Sequence, residues 1–152
     1  PGGPCQPRSA GPEGMSMPTV QEPLPIVRRT ITTEALRRYA AASGDFNPIH
    51  LDPEVAAASD FGGIVAHGML VLASITEALD QAFPWDWASS GELTVRFRAP
   101  VRLGETATAG GVVKAVDELP DGSYAVRCDV WCTTGGDETA ISGEAKLRYR
   151  DR

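Results

Sequence analysis

From His67 to Phe83 the chain is apolar almost all round: Met69, Leu70, Val71, Leu72, Ala73, Ile75, Ala78, Leu79, Ala82 and Phe83 leave little polar face until the last turns. A helix of that composition has to be buried, and in a small domain something must wrap it on most sides. The second half of the chain predicts the wrapper. Glu92–Arg98, Glu105–Val116, Tyr124–Thr134 and Thr139–Arg150 read as strands, several alternating polar and apolar positions. Pro100, the stretch Leu119–Pro120–Asp121–Gly122 and the pair Gly135–Gly136 separate them as turns. Two connections are short enough for hairpins, so the sheet is expected to be largely antiparallel. One buried helix followed by four long strands predicts an α+β domain with a curved sheet around the helix.

Upstream, the pattern weakens. Residues 26–31 (IVRRTI) read as a short strand, and Thr32 or Thr33 caps a helix running to about Ala42. Ser43–Asp52 reads as a Pro-containing loop, Pro53–Ser59 as a short helix opened by its proline, and Asp60–Ala66 as a second loop. The first 25 residues carry seven of the chain's twelve prolines and four of its sixteen glycines. Such a segment is expected to be a disordered leader, with Met15 or Met17 a candidate start, leaving residues 26–152 as one folded domain.

Composition narrows the function. The 152 residues are 42% hydrophobic and 22% charged, ordinary for one soluble domain. A net charge of −6 disfavours general attraction to nucleic acid or anionic membrane. The longest apolar stretch is far short of the ~20 residues that span a bilayer, and no secretory pattern stands at the N-terminus. Three cysteines make no disulfide framework, so a reducing cytoplasm is expected.

Candidate chemistry concentrates around the two histidines. His50 lies in SGDFNPIHLD, five residues after Asp45, and the Asn47–Pro48 pair forces a turn between them. That turn can bring carboxylate and imidazole to one water, where the pair could handle two protons in one step. Equally, Asp45 and Asn47 can cap a turn while His50 packs as a half-buried side chain. His67 and Gly68 mark the start of the buried helix, whose first N–H groups lack partners and whose dipole favours negative charge. A carbonyl oxygen docked at Gly68 would be polarised as in an oxyanion hole. Alternatively, Gly68 permits tight packing and His67 caps the helix. No Walker loop, GxGxxG or GxSxG is present, and the histidines and cysteines offer no zinc spacing. Cys128 and Cys132 read as inert core. Arg96, Arg98 and Arg102 form a basic cluster, either a solvated face or a phosphate contact.

Residues 39–53 (YAAASGDFNPIHLDP), followed by residues 64–79 (IVAHGMLVLASITEAL), closely resemble the MaoC-like, (R)-specific enoyl-CoA hydratase family, as does the later stretch 96–109 (RFRAPVRLGETATA). The resemblance spans about Ile26 to Arg150. It implies a hot-dog fold, usually paired as a dimer, and hydration of trans-2-enoyl thioesters to (R)-3-hydroxyacyl thioesters or the reverse dehydration, a step of fatty acid metabolism. By position, Asp45 and His50 match the family's catalytic pair, Gly68 its carbonyl-binding N–H and Asn47 its loop-shaping residue. His67 is taken as supporting, and Thr76 falls where some members have a serine. No metal or redox cofactor is implied; coenzyme A or an acyl carrier protein would carry the acyl group, with Arg96, Arg98 or Arg102 facing its phosphates. A hot-dog thioester hydrolase and a subunit of a heterodimeric dehydratase are the competing readings.

Overall fold

The computed structural model describes residues 17–135 and 137–151. Five antiparallel strands form one sheet in the order β1-β3-β4-β5-β2. They are β1 (Val27–Thr30), β2 (Glu92–Phe97), β3 (Thr106–Glu118), β4 (Tyr124–Thr134) and β5 (Glu138–Tyr149). The helices are α1 (Thr33–Ser43), α2 (Pro53–Ala58), α3 (Gly68–Ala82) and α4 (Pro84–Ser90), with a 3-10 turn at Pro48–His50. The expected α+β architecture is therefore present, with the sheet folded around α3.

Helix α3 supplies the centre of the core. Leu70, Val71, Ile75, Ala78 and Leu79 are buried, facing Ala107, Ala109, Val113, Cys128, Val130, Ile141 and Ala145 of the sheet. Burying side chains of this size stabilises the fold by roughly 1.5–3 kcal/mol each. Small residues on the strands let a bulky helix lie close. The ladder of β3 shifts register between Val113 and Ala115, and that of β4 with β5 between Cys132 and Thr133. Such irregularities bend and twist a strand, which is what a sheet curved around a helix requires. Arg29 of β1 ties sheet to helix: its guanidinium donates to the buried Ser74 hydroxyl at 3.3 Å and pairs with Glu77 at 2.6 Å.

Two features depart from expectation. Helix α4 was not foreseen; Phe83 ends α3 and Pro84 opens α4 directly, with no loop to announce it. The second departure concerns the leader, of which residues 1–16 lie outside the described residues. Its C-terminal part is not free chain. Leu24 is 3% exposed, the Gln21 and Leu24 N–H groups donate to the Val113 and Gly111 carbonyls, and Pro23 bridges Val112. The reason lies in β3. A Cβ at Gly111 would stand 2.8 Å from Leu24, and one at Gly110 2.6 Å from Ile26, so two bare glycines make the groove this segment fills. Leu24→Ala is accordingly expected to cost about 2–3 kcal/mol, read from urea denaturation, because a buried leucine is lost from a site that cannot collapse. An unchanged midpoint would mean the segment does not pack there in solution.

Candidate active site

The run from Ser43 to His50 is a chain of local turns. Thr32 caps α1 by accepting the Ala35 N–H, and α1 stops at Gly44, whose φ of +77° suits glycine and whose N–H closes on the Ala40 carbonyl. Asp45 Oδ1 then accepts the Asn47 N–H, and Asn47 Oδ1 accepts the Ile49 N–H, two successive Asx turns. Pro48 opens the 3-10 turn that delivers His50 inward to 8% exposure. The capping reading of Asp45 and Asn47 is thus present: one Asp45 oxygen is spent on the turn, while the carboxylate stays exposed.

His50 Nδ1 lies 2.8 Å from the Val65 carbonyl. A carbonyl can only accept, so Nδ1 carries a proton, and in the neutral ring Nε2 keeps its lone pair. The segment holding Val65 is itself fixed. The Ala66 N–H donates to the Val101 carbonyl at 2.8 Å, the Leu103 N–H to Ile64, and Val65 bridges Arg102. Glu105 holds that neighbouring turn: its carboxylate accepts the Arg102 N–H and the Thr134 hydroxyl, which keep it below its usual range.

The chain then enters α3. His67 occupies the N-cap position but its side chain makes no capping hydrogen bond. Its Nε2 lies instead 3.0 Å from the Asp45 carbonyl, and its ring stacks on that of His50 with centroids 3.9 Å apart. No side chain caps the first turn of α3, so its leading N–H groups and the positive end of its dipole face outward at the exposed Gly68. A Cβ at Gly68 would meet the Phe97 ring at 3.1 Å.

A cavity of about 380 Å³ opens at this helix end. Val65, Val71, Val101, Phe97 and Ile141 make it apolar, while His50, Gly68 and Arg98 bring polar groups to it. A larger cleft of about 800 Å³ lies elsewhere, between α4 and β5, and holds none of the candidate residues. Of the three arginines, only Arg98 lines the cavity; its Nε donates to Ser142 at 2.6 Å. The Arg102 guanidinium is taken up by the Phe61 carbonyl, and Arg96 is exposed on β2 away from the cavity lining. Asp45, Asn47 and His67 stand beside His50 without lining the cavity, and Thr76 is not brought to it either: its hydroxyl donates to the Ala73 carbonyl one turn back. Cys128 and Cys132 are buried, and burial pushes their thiols up to about 12 and about 11, so neither is a nucleophile.

Sequence spacing offered no metal site, yet folding gathers Asp45, His50 and His67 so that one ligand atom of each lies within 4.8 Å of the others. Both imidazoles also donate their other N–H to a carbonyl, as metal-binding histidines do. Against this stands the stacking. Rings tilted by only 29° hold their lone pairs in nearly parallel planes, whereas a metal takes its bond in the plane of each ring. The arrangement suits a small hydrogen-bonding molecule better than a cation.

Known proteins resemble this chain in sequence and in fold. A family model described as MaoC like domain matches residues 16–130. The chain belongs to the MaoC-like domain family. Among its relatives, a 3-hydroxybutyryl-CoA dehydratase of Methylorubrum extorquens is 32% identical over 124 residues, 81% of this chain and 76% of its own length. The 3-hydroxyacyl-thioester dehydratase Z of Mycobacterium tuberculosis is 35% identical over 127 residues, 79% of this chain and 83% of its own. The solved (R)-hydratase of A. caviae, a protein involved in PHA biosynthesis, superposes with a TM-score of 0.75 at 27% identity, covering 87% of this chain and 97% of that one. The fold is thus the hot-dog fold of MaoC-like hydratases. Two-subunit assemblies share it: chains of the ChsH1–ChsH2 and HadBC complexes of Mycobacterium tuberculosis match at 20% identity.

Proposed function

We propose that this MaoC-like chain adds water across the double bond of a trans-2-enoyl thioester to give the (R)-3-hydroxyacyl thioester, and catalyses the reverse dehydration. The observation that carries the reading is the meeting, at one apolar cavity, of His50 and Gly68, the first residue of the uncapped helix α3. The chain is a hydro-lyase, in keeping with relatives named enoyl-CoA hydratase and 3-hydroxybutyryl-CoA dehydratase.

Water is a poor nucleophile at neutral pH, and the β-carbon accepts it only when the thioester carbonyl is polarised. The Gly68 N–H, with the α3 dipole behind it, takes the carbonyl oxygen and the negative charge that grows there. Asp45 and His50 hold the water between them. As the water oxygen bonds to the β-carbon, the pair removes one of its protons and one proton is delivered to the α-carbon. The Val65 carbonyl makes Nε2 of His50 the accepting atom. Asn47 shapes the loop through its bond to Ile49. No metal or redox cofactor enters this chemistry.

The acyl chain occupies the apolar cavity, and its carrier, coenzyme A or an acyl carrier protein, leaves by the mouth. Arg98 is the cation there and is assigned to the carrier phosphates. Phe61 and Phe97 line the cavity, Met69 follows Gly68 on α3, and the three are 38–57% exposed. Strand β2, which ends at Phe97, is an edge strand whose outer side is free to pair. A second hot-dog subunit, most simply a copy of this chain, covers them.

Purified chain in EDTA is expected to hydrate crotonyl-CoA, with loss of enoyl absorbance, an (R)-3-hydroxy product and a dimer mass by light scattering. Asp45→Asn should fold and lose at least ~100-fold in kcat, in the range general acid–base groups contribute. Free thiol released in place of the hydroxy product would convict the chain as a thioester hydrolase. In the same assay Arg98→Glu is expected to raise KM with kcat kept, since carrier contacts far from the reacting bond bind ground and transition states alike. An unchanged KM removes Arg98 from the carrier site.

A further inference from the structure

His67 does more than begin a helix. Its side chain is 1% exposed, and among the described residues its Nδ1 is the one buried side-chain polar atom without a hydrogen-bond partner. Its other nitrogen donates to the Asp45 carbonyl, 22 residues away in sequence. Its ring is stacked on His50 and lies 4.9 Å from that of Tyr39. One side chain therefore touches both halves of the candidate proton-transfer pair, and its own backbone leads into Gly68. A cap would have bonded to the helix N–H groups, and this imidazole does not. A core filler would be apolar, because a buried lone pair without a partner costs stability that leucine or phenylalanine at the same place would not lose.

We propose that His67 is a positioning residue that sets the reacting geometry. Its Nε2–H pins the Asp45 backbone to the start of α3, and its face is the plate on which the His50 ring is seated at the cavity wall. The carboxylate and the imidazole, which come from the loop between α1 and α2, and the oxyanion donor, which comes from the start of α3, are thereby fixed relative to one another. The proposal rests on the assignment of Asp45 and His50 made above. Only neutral His67 protonated on Nε2 can do this, so the two histidines must hold opposite tautomers, His50 protonated on Nδ1 and His67 on Nε2.

The chain contains just two histidines, so ring-nitrogen NMR of histidine-labelled protein reads both directly. Wild type is expected to give one Nδ1–H and one Nε2–H ring, and the signals remaining in His67→Leu assign His50. His67→Leu is expected to lose ~100-fold in kcat on crotonyl-CoA, the scale of a misplacement of about 1 Å. KM should move less than about threefold, and His50 should become a mixture of tautomers. His67→Gln, whose amide N–H can reach the Asp45 carbonyl, should recover at least tenfold over His67→Leu. A His67 that is protonated on Nδ1 in wild type overturns the proposal. So does a leucine variant whose kcat stays within threefold, or one that slows while the His50 signature is unchanged and glutamine rescues nothing. Should the leucine variant fail to fold, the wild-type tautomers and the glutamine variant decide. A wild type silent on crotonyl-CoA would count against the hydratase reading, and the tautomers would still judge the role of His67.

Discussion

An apolar helix of 15 residues cannot stand in water, and the cost of leaving α3 exposed organises this molecule. A short chain can enclose such a helix by curling one sheet around it. The strands must then be long, and their inner faces must carry small residues beside the bulk of Leu70, Val71, Ile75 and Leu79. Enclosure along the barrel of the helix leaves its ends. The C-terminal end is closed by Phe83 and α4. The N-terminal end is left without a side-chain cap, and its leading N–H groups carry the positive end of the helix dipole. The site grows from that end because the fold has nowhere else to put so concentrated a donor.

The remaining elements answer to that helix end. Gly44 turns the chain out of α1, the two Asx turns carry it through Asp45 and Asn47, and the loop before α3 receives His50 on the Val65 carbonyl. Every one of those bonds uses backbone groups or side chains whose types the sequence dictates locally. Their combined effect is non-local: His50 lines an apolar cavity beside the N-terminus of α3. Hydration of an activated double bond needs three things, a held water, an acceptor for its proton and a sink for developing charge.

Much of this was legible before any coordinates. The all-apolar stretch announced α3, the alternating strands announced the sheet, and Thr32 and Pro53 marked helix starts through capping rules that act within a few residues. What escaped was long-range. Gly110 and Gly111 read as ordinary strand residues, yet their missing side chains are what seat Leu24 and order part of the Pro-rich leader. The stacking of His50 and His67 depends on two loops meeting, which spacing along the chain does not encode. Arg96, Arg98 and Arg102 looked alike, and only the strand end at Phe97 and the turn held by Glu105 separate the one at the cavity from the other two. Thr76, placed by resemblance, spends its hydroxyl on its own helix.

The account stands on the Gly68 N–H, and one pair of variants isolates it. Gly68→Ala keeps the N–H and adds a Cβ that crowds Phe97; Gly68→Pro adds the same carbon and removes the N–H. Proline is tolerated at the first position of a helix, and His67, with ψ of 127°, already has a backbone compatible with a following proline. The measurement is kcat for crotonyl-CoA hydration by the two proteins at matched folding. A proline variant ~100–1,000-fold slower than the alanine variant is the predicted result, the loss expected for one oxyanion donor. Equal rates in the two would show that the thioester carbonyl is not held by this helix end, and the mechanism built on it would fall.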